Sequence, residues 1–337
     1  MIHSPVLILG CPRSGTTLLY SMLSEISSLW SLGYESKAII EQHHHPDQKD
    51  WQSGVLVASD LTDVSRIQML DAFERYAAPG SFWSQINRVR SGLRGNPAWR
   101  WVKGRGRTKK AGSGVSSAVP QQGLNAVRTA ARLRTTITGR QSTAIRLLEK
   151  TPENCLRLPF LLALFPDASV IYLTRDGRSN INSLIEGWQQ PHLFPGYQVP
   201  VELSIPGYSR PRWAFTLIPG WQELTSSPLE EICAWQWVRC NEAVLEHRSQ
   251  TGAAVPYLTI RYEDLIGNPG PVLRQIAQFL HIDYERDLAR FSSDLPQINV
   301  VSSPAQDKWR RQNRDAIERV RPLIAPMMHQ LGYDSKF

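Results

Sequence analysis

Val6-Leu7-Ile8-Leu9 is a continuous apolar run that stops at Gly10, the pattern of a buried strand entering a turn. Beyond Cys11-Pro12-Arg13-Ser14-Gly15, the apolar residues Leu18, Leu19, Met22, Leu23 and Ile26 recur at helical spacing and predict a helix beginning near Thr16. The alternation returns downstream, with a strand over Ala144 to Leu148, a helix over Cys155 to Phe165, a strand over Ser169 to Leu173 and a helix over Arg178 to Trp188. Strands and helices in alternation predict parallel βαβ units. Ser227-Pro228-Leu229-Glu230 reads as a capping box opening a helix to about Arg248. A strand over Val255 to Ile260 and a helix over Pro271 to Leu280 follow. The last helix, Arg314 to Leu331, is expected to be interrupted by Pro322 and Pro326 and capped by Gly332. The fold class is therefore α/β: a P-loop-like parallel sheet flanked by helices, with irregular insertions.

Two stretches break the rhythm. Residues 88–146 hold fourteen Lys and Arg and no acid, so the net charge of +8 is concentrated there and the rest of the chain is net acidic. Its middle, Gly104 to Gly123, has the Gly, Ser, Lys and Arg composition of a mobile loop, while Asn125 to Arg134 reads as a short basic helix. With Trp99 and Trp101 among the charges, the segment is expected to border the acceptor site and to contact an anionic membrane or acceptor. The second stretch, about 189–226, is crowded with Pro, Gly, Trp and Tyr and reads as an irregular lid or pocket wall. The 337 residues, 42% hydrophobic, are expected to form a single elaborated domain. Cys11, Cys155, Cys233 and Cys240 lack the paired spacing of a zinc site and read as reduced thiols. No apolar run nears the roughly 18 residues needed to span a bilayer. A cytoplasmic location, with peripheral membrane association through the basic segment, is the resulting expectation.

Gly10 to Thr17 has the G-x-x-x-x-G spacing of a phosphate loop, but Thr16 stands where a nucleotide triphosphatase carries lysine. Glycines let backbone N–H groups converge on an anion, and the following helix adds its positive end. Ser14, Thr16 and Thr17 add hydroxyl donors and Arg13 a guanidinium. No acid directly ends an apolar strand as a magnesium ligand would. A migrating sulfuryl group carries one negative charge and needs less neutralisation than a γ-phosphoryl group, so the pattern favours sulfate over phosphate.

A second anion site is expected after the Ser169 to Leu173 strand, at Thr174-Arg175-Asp176-Gly177-Arg178-Ser179. The next helix buries Ile181, Leu184, Ile185 and Trp188. At 100° per residue Ser183 lies roughly 150° from the centre of that stripe, where it can meet a ligand beside Arg175. The alternative is a surface pair of Arg175 with Asp176.

Pro12-Arg13-Ser14-Gly15-Thr16-Thr17, together with Arg175-Asp176-Gly177-Arg178 and Ser183, resembles the sulfotransferases dependent on 3′-phosphoadenosine 5′-phosphosulfate (PAPS), especially the tyrosylprotein sulfotransferases and the related bacterial group. The resemblance implies PAPS as co-substrate, no metal, and a 5′-phosphosulfate held by Arg13, Ser14, Gly15, Thr16 and Thr17. It places the 3′-phosphate on Arg175 and Ser183. It carries over Tyr262 of Arg261-Tyr262-Glu263-Asp264-Leu265 as a cofactor contact, and Lys308 and Trp309 of Asp307-Lys308-Trp309, the lysine reaching the phosphosulfate. It covers about residues 5–36, 145–188 and 228–334, and neither 40–143 nor 189–227. Unlike the soluble aryl and steroid enzymes, the chain has Arg13 in place of lysine and no R-K-G-x-x-G segment, so their catalytic histidine is not carried over.

The acceptor hydroxyl of a glycolipid, carbohydrate or other small molecule must lose a proton, so the site needs a base. Glu35, in Leu32-Gly33-Tyr34-Glu35-Ser36 at the expected end of a second strand, resembles the glutamate base of the tyrosylprotein enzymes; a solvated or helix-capping acid is the alternative. Lys150, ending another predicted strand, is a candidate to stabilise the departing bridging oxygen, the alternative being an ion pair with Glu149 or Glu153. His43-His44-His45 lacks zinc spacing and reads as surface loop or pocket lining. Rival readings are a metal-dependent P-loop nucleotide kinase, against which Thr16 counts, and a nucleic-acid-binding module using the basic segment. No nucleic acid is expected, because no recognised binding module accompanies those charges.

Overall fold

A computed structural model of the chain describes residues 1–80, 82, 144–296 and 307–333. The basic segment lies outside these residues up to 143, as does the helix expected over 125–134. Six strands form one sheet: β1 (Val6–Leu9), β2 (Trp30–Ser31), β3 (Ala78–Pro79), β4 (Leu147–Lys150), β5 (Ser169–Thr174) and β6 (Tyr257–Arg261). Their order is β3-β2-β4-β1-β5-β6, parallel throughout except for the β2–β3 pair. The helices are α1 (Thr16–Leu23), α2 (Lys37–His44), α3 (Asp63–Tyr76), α4 (Leu158–Leu164), α5 (Gly177–Trp188), α6 (Leu229–Thr251), α7 (Tyr262–Gly267), α8 (Pro269–Leu280), α9 (Tyr284–Asp287), α10 (Lys308–Gln312) and α11 (Arg314–Gln330).

Because successive strand residues face opposite sides, each central strand feeds two cores. Val6 and Ile8 of β1 join Leu148, Ile171, Leu173 and Ile260 against α1 and α8. Leu7 and Leu9 join Leu147, Val170 and Tyr172 against α4, α5, α6 and α11. The second core is dominated by indoles: Trp188, Trp213, Trp221, Trp237 and Trp309 are all fully buried. Truncating any one to alanine would cost about 3–5 kcal/mol.

The aromatic-rich stretch is a packed wall. Trp213 packs edge-on against both Trp188 (5.3 Å) and Trp221 (5.4 Å), and Trp221 Nε1 donates to the Trp51 carbonyl at 2.7 Å. Tyr197 and Trp213 exchange backbone hydrogen bonds. The segment's sole named helical element among the described residues is the 3₁₀ turn Trp221–Leu224. Arg146, the one basic-run residue inside the described set, donates to the Leu280 and Ser4 carbonyls at the edge of the sheet remote from Gly10.

Several expectations need correction. The strand expected over Ala144 to Leu148 is displaced to Leu147–Lys150, with Ile145 in an isolated bridge to Ile2. The helix expected from Cys155 is split into a 3₁₀ turn, Pro152–Leu156, and α4, because Pro159 fits the first turn of a new helix. Ser227 does not cap α6: Pro228 occupies the cap position, at φ −55° and ψ 145°, and makes no side-chain capping bond. The last helix is not interrupted. Pro322 and Pro326 lie four apart on the solvent side of α11, so the carbonyls their rings deprive of donors can be hydrated, while Ile317, Val320, Ile324, Met327 and Met328 keep the buried stripe.

An exposed helix-interior proline still lacks a backbone hydrogen bond. Pro322→Ala is expected to raise the unfolding free energy by about 1–2 kcal/mol, the helical gain less the flexibility returned to the unfolded chain. An increase in the urea midpoint at unchanged slope is the readout; a decrease would show that the proline ring itself packs usefully.

Candidate active site

The β1–α1 turn is built by two glycines that nothing larger can replace. A Cβ at Gly10 would collide with Ser14 Oγ and the Leu173 carbonyl, and Gly15, at φ 98°, would drive one into the Tyr262 ring. Arg13 also takes a left-handed φ of 71°, uncommon for a residue with a side chain. Ser14 N bonds the Cys11 carbonyl at 3.0 Å. The Asn180 amide, with its oxygen turned toward Ser14 N (3.1 Å) and its nitrogen toward the Pro12 carbonyl (3.2 Å), braces the loop from α5.

β5 and α5 supply the second half. Arg13 Nε donates to Ser183 Oγ at 3.2 Å, and Arg175 Nη1 donates to the Arg13 carbonyl at 2.7 Å. The Arg175 guanidinium lies 4.6 Å from the centroid of the Tyr262 ring, and Arg13 stacks on Phe194 at 4.8 Å. Burial, then the nearby charge of Arg175, pulls the Arg13 guanidinium below its ordinary pKa. Arg175 does not pair with Asp176. Asp176 caps α5 through Ser179 N and pairs with Arg178 instead. Ser14 Oγ and Arg175 Nε are buried donors with no partner among the described residues. A converging loop, two guanidiniums and two unmatched donors can bind an anion.

Beyond the loop, Lys150 Nζ donates to Glu35 Oε1 at 2.6 Å and to Thr17 Oγ1 at 3.3 Å. The lysine side chain is 5% exposed and the glutamate 43%, so the pair has one sunken and one accessible member. Lys150 therefore pairs with Glu35, and with neither Glu149 nor Glu153. Glu35 is four residues beyond the end of β2, on a short strap before α2, because β2 stops at Ser31. Thr16 is buried at the start of α1.

Lys308 opens α10 and donates to both carboxylate oxygens of Glu186 on α5, at 2.8 and 2.9 Å. Trp309 is 1% exposed and lies in the core, with Arg178 and Arg310 over its ring. The three histidines diverge: His44 meets Phe160 edge-on and His45 meets Trp51. A cavity of about 140 Å³ is lined by His44, His45, Lys49 and Gly54 among others. No group of three or more His, Cys, Asp or Glu suited to a metal ion occurs among the described residues.

Asn180, Phe194, Ser36 and Glu149 escaped sequence reasoning. Asn180 was findable as the residue three before Ser183 on the same helix face. Phe194 reaches Arg13 from outside the α/β rhythm and left no periodic signal.

A sequence profile of the Sulfotransferase family matches residues 5–194. Protein-tyrosine sulfotransferase 1 of Danio rerio is 24% identical over 204 residues, 56% of this chain and 48% of that protein. Protein-tyrosine sulfotransferase A of Caenorhabditis elegans is 23% identical over 212 residues, 58% of this chain and 47% of that protein. The chain thus spans about half the length of these relatives. Sulfotransferase STF9 from Mycobacterium avium superposes with a TM-score of 0.48 at 16% identity, over 99% of this chain and 78% of the other. The profile covers more than half of the chain, including the β1–α1 loop, Glu35, Lys150, Arg175 and Ser183, and the chain belongs to the sulfotransferase family.

Proposed function

We propose that this protein transfers a sulfuryl group from PAPS to an acceptor hydroxyl by in-line displacement. The observation that carries the reading is the pair of buried, unmatched donors, Ser14 Oγ and Arg175 Nε, in a cradle already holding Arg13. Leaving a buried donor unmade costs about 1–3 kcal/mol, and an anionic ligand that accepts from both removes that cost. Gly10 and Gly15 leave no room for side chains where the loop closes, and glycines let a loop backbone approach an anion closely; the Ser14 N–H is already bonded to the Cys11 carbonyl, so it is the Ser14 hydroxyl that is left for the ligand.

In this reading Arg13, Ser14, Gly15, Thr16 and Thr17 hold the 5′-phosphosulfate, Arg175 and Ser183 the 3′-phosphate, and Tyr262 fixes Arg175 by stacking. Lys150, anchored on Thr17, supplies positive charge where the bridging oxygen departs. Glu35, the exposed member of the pair, takes the acceptor proton. Lys308 and Trp309 support the far side of the loop through Glu186 and Arg178. Arginine and lysine provide the charge this mechanism requires. The acceptor is a glycolipid, carbohydrate or other small hydroxyl compound, and family membership together with likeness to tyrosine sulfotransferases supports sulfuryl transfer itself.

The desulfated product, 3′-phosphoadenosine 5′-phosphate (PAP), is expected to raise the melting temperature far more than AMP or ATP. At a hundredfold excess over its Kd it stabilises by about 2.7 kcal/mol. Equal stabilisation by ATP, or none by PAP, would refute the assignment. Arg175→Ala is expected to raise the PAP Kd roughly 10- to 10²-fold, the loss of a charge-assisted contact; calorimetric titration giving the wild-type Kd would remove Arg175 from the site. Glu35→Gln is expected to retain PAP affinity while kcat falls about 10²- to 10⁴-fold, which near-normal turnover would contradict.

A further inference from the structure

Four residues, Gly33 to Ser36, carry Glu35 to Lys150, and both ends of this strap are pinned. At its start Gly33, at φ 74°, donates its N–H to Tyr20 Oη on α1 at 3.1 Å. At its end Ser36 N donates to Thr151 Oγ1 at 2.8 Å. Ser36 Oγ donates to Glu149 Oε1 at 2.5 Å, and Thr151 Oγ1 donates to the same oxygen at 2.7 Å. Asn154 Nδ2 donates to the other oxygen, Oε2, at 2.6 Å. Glu149, Ser36, Thr151 and Asn154 are all buried, at 1% exposure or less.

Two consecutive residues of the strap thus meet two consecutive residues of β4. Side chains alternate along a strand, so Glu149 and Lys150 point to opposite faces of the sheet. Glu35 meets Lys150 on one face, and Ser36 meets Glu149 on the other. The strap straddles the strand end, and neither residue can slide along β4 without breaking a charge-assisted hydrogen bond on each face. A buried carboxylate with three donors is costly to install in a sheet, and a single well-packed apolar residue would suffice for stability alone. Ser36 also lies at the cap position of α2 yet makes no capping bond there. Its hydroxyl is committed to Glu149.

We propose that Glu149 is a positioning residue: through Ser36 and Thr151 it fixes the strap so that the Glu35 carboxylate stands against Lys150 at the mouth of the anion cradle. The inference rests on the reading of Glu35 as the base. Glu149 does not touch the reacting atoms, and it orients Glu35 in the way a buried carboxylate orients a catalytic side chain it does not replace.

The test is a double-mutant cycle on the full chain, with PAP release from PAPS followed using p-nitrophenol and octyl glucoside as acceptor probes. Ser36→Ala is expected to lower kcat roughly 10- to 10²-fold, the effect of displacing a reacting group by about 1 Å, with PAPS KM and PAP Kd unchanged. Glu149→Gln should act in the same direction; because it alters a buried charge, Ser36→Ala is the deciding variant. In a Glu35→Gln background Ser36→Ala should add nothing, since it acts only through Glu35. A crystal structure of Ser36→Ala should show the Glu35 carboxylate displaced from Lys150. If Ser36→Ala slows Glu35→Gln by the factor it slows the wild type, raises the PAP Kd alongside, or leaves Glu35 in place, the positioning role is wrong. Wild-type turnover by Glu35→Gln would instead remove the base assignment, a separate outcome, and the inference with it.

Discussion

Parallel pairing of β1 with β4 on one side and β5 on the other is the constraint from which the site follows. Ile8 lies opposite Lys150 and Leu9 opposite Tyr172, so β4 stops one residue short of the end of β1, β5 runs two residues beyond it, and all three strands end on the same side of the sheet. Whatever follows each end must therefore share one small volume: the Gly10 to Thr17 loop after β1, Lys150 and Thr151 at β4, Arg175 after β5. Parallel strands require the chain to cross over between them, which is why residues 170 positions apart in sequence meet there, as Arg13 and Ser183 do. Ligands of open α/β sheets bind at this edge for the same reason.

The loop is held in a costly conformation by its neighbours. Arg13 and Gly15 both sit at positive φ, and two guanidiniums approach each other closely enough for Arg175 to depress Arg13. Tyr262 packed on Gly15, Arg175 on Tyr262, Phe194 on Arg13 and the Asn180 amide between Pro12 and Ser14 offset that cost. A cradle assembled before the ligand arrives does not have to be ordered by binding, so more of the interaction energy is left for affinity.

One helix does two tasks by virtue of its period. On α5, Ile181, Leu184, Ile185 and Trp188 fill the core. Asn180, Ser183 and Gly187 occupy positions three and four apart on the side toward the loop, where Asn180 braces it, Ser183 holds Arg13, and Gly187 leaves room for Phe215. Two ion pairs of α2, the half-buried Lys37 with Glu153 and the buried Arg157 with Glu41, tie that helix to the segment after β4. Removing Glu41 would leave the fully buried Arg157 charge uncompensated, so the helix that follows the strap is held firmly to the segment after β4.

The sequence by itself determined the α/β class and the β1–α1 anion loop, and it placed Ser183 on the helix face that meets Arg13. Those features are local: a 4-residue apolar run, two glycines at fixed spacing and a 3.6-residue period each act over a few neighbouring positions. It misjudged α11 because proline's local penalty depends on whether the freed carbonyls face water, which only packing decides. It misplaced the start of β4 because an apolar run says nothing about which residues find hydrogen-bonding partners across the sheet. Their places at expected strand ends, and for Glu35 a family resemblance, marked Lys150 and Glu35 separately, while their pairing, the commitment of Ser36 to Glu149 and the stacking of Phe194 on Arg13 were decided by tertiary structure. Each joins residues more than a hundred positions apart, or from a segment without periodicity, and a contact of that kind is created by the crossover of strands rather than by any pattern along the chain.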